Sequence, residues 1–297
     1  MGSVSPGDEI AGYRLEEQIG AGGMAVVYRA HDERLDRRVA LKLLASGLAA
    51  DEGFRQRFIR ESRAAAAVDH PHIIPIYEAG DAGGALFIAM RYVQGGDVRS
   101  LLARNGPLPA ARAWSIINQV GAALDAAHAY GLIHRDVKPA NMLLDARARV
   151  PAAARGLSPV SQPEHVYLSD FGISKLSLST SHLTSTGQFV GTLDYIAPEQ
   201  ITGRDVDGRA DLYSLGCAAF ELLSGKPPFR RDEGFALISA HLTEPPPPLT
   251  TKRDDLPEAV DLVLAGAMAK VPGKRYETCE RFTTDLGRAL GLIPGYL

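Results

Sequence analysis

Cysteine is scarce in this chain, long apolar runs are missing, and charge of one sign is not in excess. The two cysteines, Cys217 and Cys279, are too few for a disulfide framework and have no metal-ligand spacing with any histidine, so a reducing cytoplasm is the expected compartment. No apolar run approaches the roughly 20 residues that a membrane-spanning helix needs. The formal net charge of −3 gives no basic excess, so neither nucleic acid nor a membrane is an expected partner of this segment.

What the sequence does contain is a change of pattern near its first third. Apolar alternation predicts strands between Tyr13 and about Leu44, and further strand-like segments at 73–77 and 86–93. Between them, a helix is predicted by residues that share one helical face: Phe54, Phe58, Glu61 and Ala65. After Gly95-Gly96 the pattern becomes mostly helical, and 212–223 is apolar nearly all round, which is typical of a buried helix.

A glycine-rich segment, Gly20-Ala21-Gly22-Gly23, falls between two of the predicted strands. Because glycine has no Cβ, backbone amides in such a segment can approach phosphate oxygens closely. Taken alone, the segment is equally compatible with a simple hairpin between the strands.

Two charged residues fall where apolar residues are expected. Lys42 lies in an apolar strand, in phase with Ala40 and Leu44, where an unpaired ammonium is costly to desolvate. Glu61 shares its helical face with Phe58, so its carboxylate is directed inward. A Lys42–Glu61 pair satisfies both charges, and the alternative is that both side chains extend to solvent.

Three further segments carry the strongest pattern: His134–Asn141 (HRDVKPAN), Asp170–Gly172 (DFG) and Gly191–Glu199 (GTLDYIAPE). Together with the glycine loop, the strand lysine and the helix glutamate, and in this order, they resemble the protein kinase signature. The resemblance extends over about 13–292, and the Gly-Gly-Met of the loop is similar to bacterial members, especially the cytoplasmic domains of actinobacterial receptor kinases.

The resemblance implies an α+β, bilobal protein kinase fold. In it, 1–12 is an N-terminal extension, and 13–93 is a small, mainly antiparallel β N-lobe with one key helix that binds ATP. The larger, mainly α-helical C-lobe covers 94–292 and carries the catalytic and substrate-binding residues, with 293–297 as a tail. Its insertion at about 145–163 is interpreted as a protruding loop, either a docking site or a tolerated surface insertion.

The resemblance also implies roles for individual residues in transferring the γ-phosphate of ATP. The catalytic set is Asp136 as the base, Lys138, Asn141, Lys42 and Glu61, with Mg²⁺, or Mn²⁺ in its place, held by Asn141 and Asp170. The expected ATP-binding residues are Ile19, Gly20, Ala21, Gly22, Gly23, Met24, Val27, Ala40, Lys42, Met90, Arg91, Val93 and Leu143.

Regulatory and supporting residues follow from the same resemblance. Arg135 before the catalytic aspartate implies an activation loop that is ordered by phosphorylation, with Thr184 and Thr186 as the expected phosphosites. Thr192 resembles the residue beside the substrate-binding loop. Structural roles are expected for three further residues: Glu199 paired with Arg275, and Asp211, which holds the catalytic-loop backbone.

The implied function is an ATP- and Mg²⁺-dependent serine/threonine protein kinase that autophosphorylates its activation loop and phosphorylates proteins in bacterial signalling. The motif DVKPAN accompanies serine/threonine rather than tyrosine specificity in this family. The alternatives are a catalytically silent pseudokinase scaffold and a small-molecule phosphotransferase. A homodimer formed through the smaller lobe for trans-autophosphorylation, and a longer membrane-anchored protein of which this is the cytoplasmic domain, are hypotheses from the resemblance.

Overall fold

The computed structural model describes residues 4–23, 25–49, 51–146, 164–171 and 193–294. Its N-terminal part contains one antiparallel sheet with the strand order β1-β2-β3-β4-β6-β5. The strands are β1 (Glu9–Ile10), β2 (Tyr13–Ala21), β3 (Ala25–Asp32), β4 (Arg37–Leu44), β5 (Ile76–Ala82) and β6 (Ala85–Arg91). Lys42 of β4 is paired with Val27 of β3 and Ile88 of β6, so it lies in the interior of the sheet.

The two faces of this sheet are covered differently, because successive side chains of a strand point to opposite faces. Phe87 and Ala89 of β6 join a cluster formed by the sheet's own buried side chains. Leu86 and Ile88 of the same strand instead pack against helix α2 (Glu52–Ala66), which follows the single-turn α1 (Ser46–Ala49). The carboxylate of Asp51 caps α2 by accepting a hydrogen bond from the backbone N–H of Phe54 at 2.9 Å.

The segment predicted as a strand at 73–77 is divided between two parts of the molecule. Only from Ile76 does the chain join the sheet as β5. The backbone N–H of Ile74 instead donates to Leu168 O at 3.0 Å, and Leu168 N donates to His72 O at 2.8 Å. Pro75 separates the two pairings because it has no N–H to donate to either one. The strand prediction was therefore wrong in its first residues, which connect the sheet to the rest of the chain.

The remainder of the described chain is mainly helical. Its helices are α3 (Val98–Asn105), α4 (Ala110–Ala129), α5 (Pro198–Thr202), α6 (Gly208–Ser224), α7 (Gly234–Thr243), α8 (Ala259–Ala267) and α9 (Cys279–Ala289). Helix α6 is buried on nearly every side, which confirms the buried helix predicted at 212–223. Within the described residues, no helix has both the length and the apolar character needed to cross a membrane.

A two-stranded ribbon, β7 (Met142–Asp145) and β8 (His165–Leu168), lies beside the connection between the sheet and the helical part. At this connection an ideal Cβ on Gly95 would stand 2.0 Å from the carbonyl oxygen of Leu144, so only glycine permits the close approach. The predicted insertion begins at the end of β7, and its residues 147–163 lie outside the described part of the chain.

Candidate active site

The segment between α4 and β7 brings three polar side chains together. The ammonium of Lys138 lies 2.8 Å from Asp136 Oδ2. The amide nitrogen of Asn141 donates to the backbone carbonyl of Asp136 at 2.8 Å and approaches its Oδ2 at 3.3 Å. A short 3-10 turn at Pro139–Asn141 returns the chain toward Asp136 and makes these contacts local. This segment is called the catalytic loop below (residues 134–141).

The catalytic loop is anchored by one buried carboxylate, that of Asp211. Asp211, in the first turn of α6, is fully buried and accepts hydrogen bonds from the backbone N–H groups of His134 and Arg135, both at 2.7 Å. Its Oδ2 also lies 2.8 Å from Nε2 of His128. Hydrogen bonds to a carboxylate are stronger than those between neutral groups. Asp211 therefore holds the first two residues of the catalytic loop in place.

His134 connects this loop to the segment that carries Asp170. Burial lowers the pKa of His134, which favours its neutral imidazole. Its Nε2 lies 2.9 Å from the carbonyl oxygen of Ser169, and its Nδ1 accepts a hydrogen bond from Asp136 N at 3.2 Å. Its ring also packs 4.7 Å from that of Phe171, centroid to centroid. A single buried ring thus fixes the two segments relative to each other.

Asp170 forms an ionic contact between the two parts of the molecule. Its Oδ1 lies 2.8 Å from Nζ of Lys42, and both side chains are largely shielded, with 33% and 15% of their surface exposed. Asp170 has a positive φ of 61°, a conformation that is uncommon outside glycine. A cavity of about 20 Å³ beside this pair, lined partly by Phe58 and Phe171, has room for about one water molecule.

The predicted pairing of Lys42 with Glu61 is absent from the ion pairs of the described residues, and this is a correction. Lys42 contacts Asp170 instead. Burial raises the pKa of Glu61, and the charges of Arg135, Arg60 and Arg57 oppose that rise. The half-buried Glu61 carboxylate thus feels the charges of three arginines, while Lys42 is paired with Asp170.

The expected adenine-binding residues lie together between the sheet and the ribbon. Ala40 and Met90 are buried in one small cluster, with Val27, Val93 and Leu143 packed against it. Two members of this cluster were not foreseen, Ile74 and Tyr167. Neither carried a sequence signal, because Ile74 was read as part of a sheet strand and Tyr167 follows the insertion.

The remaining expected nucleotide contacts lie on the edge of this pocket. Gly20 and Ala21 of β2 pair with Val27 and Val26 of β3, and Gly22 N donates to Ala25 O at 2.9 Å, which closes the glycine turn. Ile19 is 43% exposed, Gly23 is also exposed, and Met24 lies outside the described residues. The guanidinium of Arg91 lies 3.4 Å from Asp145 and stacks over the ring of Tyr167.

The segment before α6 is fixed by buried polar contacts. Arg275 and Glu199 are both buried and form two parallel hydrogen bonds, of 2.6 and 2.8 Å, in the pairing that the resemblance implied. Arg275 also donates to the carbonyl oxygens of Ala269 at 2.7 Å and Arg209 at 2.8 Å. A bidentate guanidinium–carboxylate pair defines direction as well as distance, so this contact fixes α5 against the chain after α8.

Two contributors to the site were missed by sequence reasoning. Gln200 donates from Nε2 to the carbonyl of Arg135 at 3.1 Å, and so links α5 to the catalytic loop. His128, on α4, supports Asp211 as described above. Neither belongs to the motifs, and only the fold brings them to the loop. Of the predicted residues, Thr184, Thr186 and Thr192 lie outside the described part of the chain.

The chemistry of the donors fits a hard divalent cation. Asn141 uses its amide nitrogen toward Asp136, which leaves Oδ1 as its acceptor atom, and Asp170 contributes a carboxylate. Oxygen donors of this kind are the ligands that Mg²⁺ takes, with water and phosphate oxygens completing its shell.

Comparison with known proteins identifies the class to which this fold and site belong. The family model of the protein kinase domain matches residues 13–284. The chain therefore belongs to the protein kinase domain family, and the bilobal kinase fold expected from the sequence is confirmed.

The most similar proteins found include mycobacterial enzymes. Serine/threonine-protein kinases PknJ and PknF of Mycobacterium tuberculosis are 45% identical over 289 residues and 41% identical over 290 residues, each over 97% of this chain. The chain spans 47% of PknJ and 58% of PknF, about half of these relatives. The crystal structure of the M. tuberculosis PknI kinase domain matches with a TM-score of 0.75 at 35% identity, covering 97% of this chain and 100% of that one. The chain is thus a kinase domain of the bacterial serine/threonine type.

Proposed function

We propose that this domain transfers the γ-phosphate of ATP to serine and threonine hydroxyls of proteins, with Mg²⁺, and that its own activation loop is one substrate. The observation that carries the proposal is the catalytic loop, in which Asp136, Lys138 and Asn141 converge within hydrogen-bond distances. All residue types that phosphoryl transfer needs are retained in the chain, which weighs against a silent scaffold.

In the proposed mechanism, Asp136 orients the substrate hydroxyl and accepts its proton. The new bond joins the hydroxyl oxygen to the γ-phosphorus, and the bond to the β-phosphate oxygen breaks, which releases ADP. Lys138 places its ammonium beside the carboxylate and the transferring phosphoryl group. Mg²⁺ supplies neutralisation of phosphate charge when it is held by Asn141 and Asp170.

The smaller lobe contributes the nucleotide. Ala40, Val27 and Leu143 form an apolar slot of the size and character that a flat base requires, with Met90 at its inner end. Lys42 is proposed to turn from Asp170 to the α- and β-phosphates, with Glu61 as its partner in that arrangement. Residues 13–93 are proposed as this lobe and 94–292 as the larger one, with 1–12 and 293–297 outside them.

Regulation is proposed to act through the activation loop. Phosphate on Thr184 or Thr186 is proposed to bind the guanidinium of Arg135, whose carbonyl and N–H are held by Gln200 and Asp211. The proposed location of this activity is the cytoplasm, because ATP is supplied there. Its proposed role is in bacterial signalling. Pairing of two copies through their smaller lobes is proposed as the route by which one copy phosphorylates another.

The test compares the natural chain with Asp136→Asn after incubation with ATP and Mg²⁺, using intact mass and phosphopeptide mapping. We expect phosphate on Thr184 or Thr186 in the natural chain, and a rate reduced by at least about 100-fold in Asp136→Asn, since a general base contributes about 10²–10⁴-fold. Asp254→Asn, at an exposed position before α8, is the matched control and should retain activity.

A mixing experiment separates transfer within one copy from transfer between copies. A mass-tagged Asp136→Asn chain incubated with the natural chain should gain phosphate if one copy modifies another. If neither chain, nor an added protein substrate, gains phosphate, the scaffold reading replaces the proposal.

A further inference from the structure

Three residues with metal-ligand chemistry meet in the helical lobe, where α4 packs against α9. Asp125 and His128 belong to α4, and Cys279 is the first residue of α9. One carboxylate oxygen, one imidazole nitrogen and the sulfur all lie within 4.8 Å of one another. They border a cavity of about 240 Å³, whose lining also includes Asp207, Glu277 and Arg209, so acidic groups outnumber the one arginine there.

The histidine of this cluster is already oriented for ligation. Its Nε2 lies 2.8 Å from Asp211 Oδ2, and because a carboxylate can only accept, the proton resides on Nε2. Nδ1 is then the atom that faces the cluster, and it lies 4.0 Å from Asp125 Oδ1, beyond hydrogen-bond distance. A metal-ligating histidine usually donates its second N–H to a carboxylate in this way. The outer support of a metal site is therefore present.

The carboxylate is fixed as well. Asp125 accepts hydrogen bonds from the backbone N–H groups of Cys279 at 2.9 Å and Glu280 at 2.7 Å, and each oxygen retains acceptor capacity. These two hydrogen bonds satisfy N–H groups in the first turn of α9, and the side chain of Thr278, the residue before the helix, accepts a third from Arg281 N. Helix capping thus accounts for Asp125, which is also within hydrogen-bond reach of the buried Cys279 thiol, but gives no reason for the imidazole beside them.

We infer that Asp125, His128 and Cys279 form a binding site for a single zinc-like divalent cation, with a fourth position open to the adjoining cavity. One sulfur, one imidazole nitrogen and one carboxylate oxygen are the donor types that Zn²⁺ takes, and softer ligands disfavour Mg²⁺. Ligands of tetrahedral zinc stand about 3.5 Å apart, so the cluster must contract by about 1 Å on binding.

Such an ion joins α4 to α9 and reaches the catalytic loop only through His128 and Asp211. Its role is consequently structural: it stabilises the contact between α4 and α9 that supports Asp211, and it is separate from the proposed ATP site. Sequence spacing gave no sign of it, because Cys279 is remote from His128 in the chain and the helices meet only in the fold.

The test uses Co²⁺ as a spectroscopic substitute for Zn²⁺ on the reduced, metal-free chain. We expect one equivalent of Co²⁺ to produce a near-ultraviolet sulfur-to-cobalt charge-transfer band. Cys279→Ala should abolish this band and weaken Zn²⁺ binding by more than about 100-fold, since loss of an outer partner alone costs about 10–100-fold. Cys217→Ala, which removes the other buried cysteine of the chain, is the matched control and should behave as the natural chain does.

Absence of the band from the natural chain, or its persistence in Cys279→Ala, would overturn the inference. Circular dichroism of each metal-free variant checks its folding. A second variant, Asp125→Asn, covers the case in which Cys279→Ala fails to fold: the band should persist while Zn²⁺ affinity falls at least about tenfold. Unchanged affinity in Asp125→Asn would remove the carboxylate from the site and contradict the proposal.

Discussion

The catalytic loop and two charged residues of the smaller lobe, Lys42 and Glu61, belong to one candidate site but are held in different ways. Asp211, His134 and Gln200 fix the loop through hydrogen bonds to its backbone groups. Among the described residues, Lys42 has one ionic contact, to Asp170, and Glu61 forms no ion pair. The half of the site proposed to receive the hydroxyl is therefore preformed, whereas the half proposed to receive the nucleotide depends on rearrangement.

The largest expected effect comes from breaking the rigid half at Arg275. Arg275→Met leaves the Glu199 carboxylate buried without its partner, and loss of one member of a buried ion pair costs about 3–5 kcal/mol. Chemical denaturation should show this loss in the free energy of unfolding. Arg281→Met, which breaks the exposed pair with Asp285 in the same lobe, should cost less than about 1 kcal/mol. Equal losses of unfolding free energy in the two variants would show that the buried Glu199–Arg275 pair does not anchor this lobe.

Acid should weaken the same lobe through a buried histidine. His241 is fully buried, and burial, followed by the charge of Lys270, lowers its pKa from 6.5 to about 3. Between these values the unfolded chain binds a proton that the folded chain does not, so stability rises with pH over this window and falls on acidification. The expected loss from this group between about pH 7 and about pH 5 is about 2 kcal/mol.

His241→Gln tests that contribution, because glutamine cannot take up the proton and can still hydrogen-bond to Tyr213. Denaturation curves of both chains at the two pH values give the comparison, and the variant should lose about 2 kcal/mol less than the natural chain on acidification. An identical loss in both chains would show that His241 does not carry the acid sensitivity.

The smallest stability effect, with a clear effect on activity, is expected in the adjustable half. Glu61→Gln removes a carboxylate that forms no ion pair among the described residues, so unfolding should change by less than about 0.5 kcal/mol. Phosphoryl transfer should nevertheless slow by about 100-fold, because Lys42 loses the partner that positions it on the phosphates. Glu52→Gln, exposed on the same helix, is the control. Transfer rates that match between the two variants would mean that Glu61 has no part in the active arrangement.

The sequence predicted the fold and most members of the site because the motifs are local. His134–Asn141 turns back on itself, so its spacing alone implies that Asp136, Lys138 and Asn141 are neighbours. In this structure the partner of Lys42 is Asp170 and not the predicted Glu61, and the reason is different. A motif indicates which charged residues can form an ion pair. The position of α2 relative to the sheet decides which of those pairs form.

Contacts between residues far apart in the chain were beyond sequence reasoning. His128 gave no signal as a support of Asp211, and Tyr167 gave none as a member of the cluster proposed to bind adenine. The start of β5 was also misplaced, since the competition between the sheet and β8 for residues 72–74 is a tertiary property.

The ribbon formed by β7 and β8 makes the length of the chain between Asn141 and Asp170 irrelevant to their geometry. Asp145 and His165 are paired at its outer end, and Ser169 N donates to Asn141 O at 2.9 Å at its inner end. Arg112 clasps Glu164 with two hydrogen bonds, which ties the returning strand to α4. The described residues on either side of the insertion are therefore held next to each other, so a change in its length need not move Asn141 or Asp170.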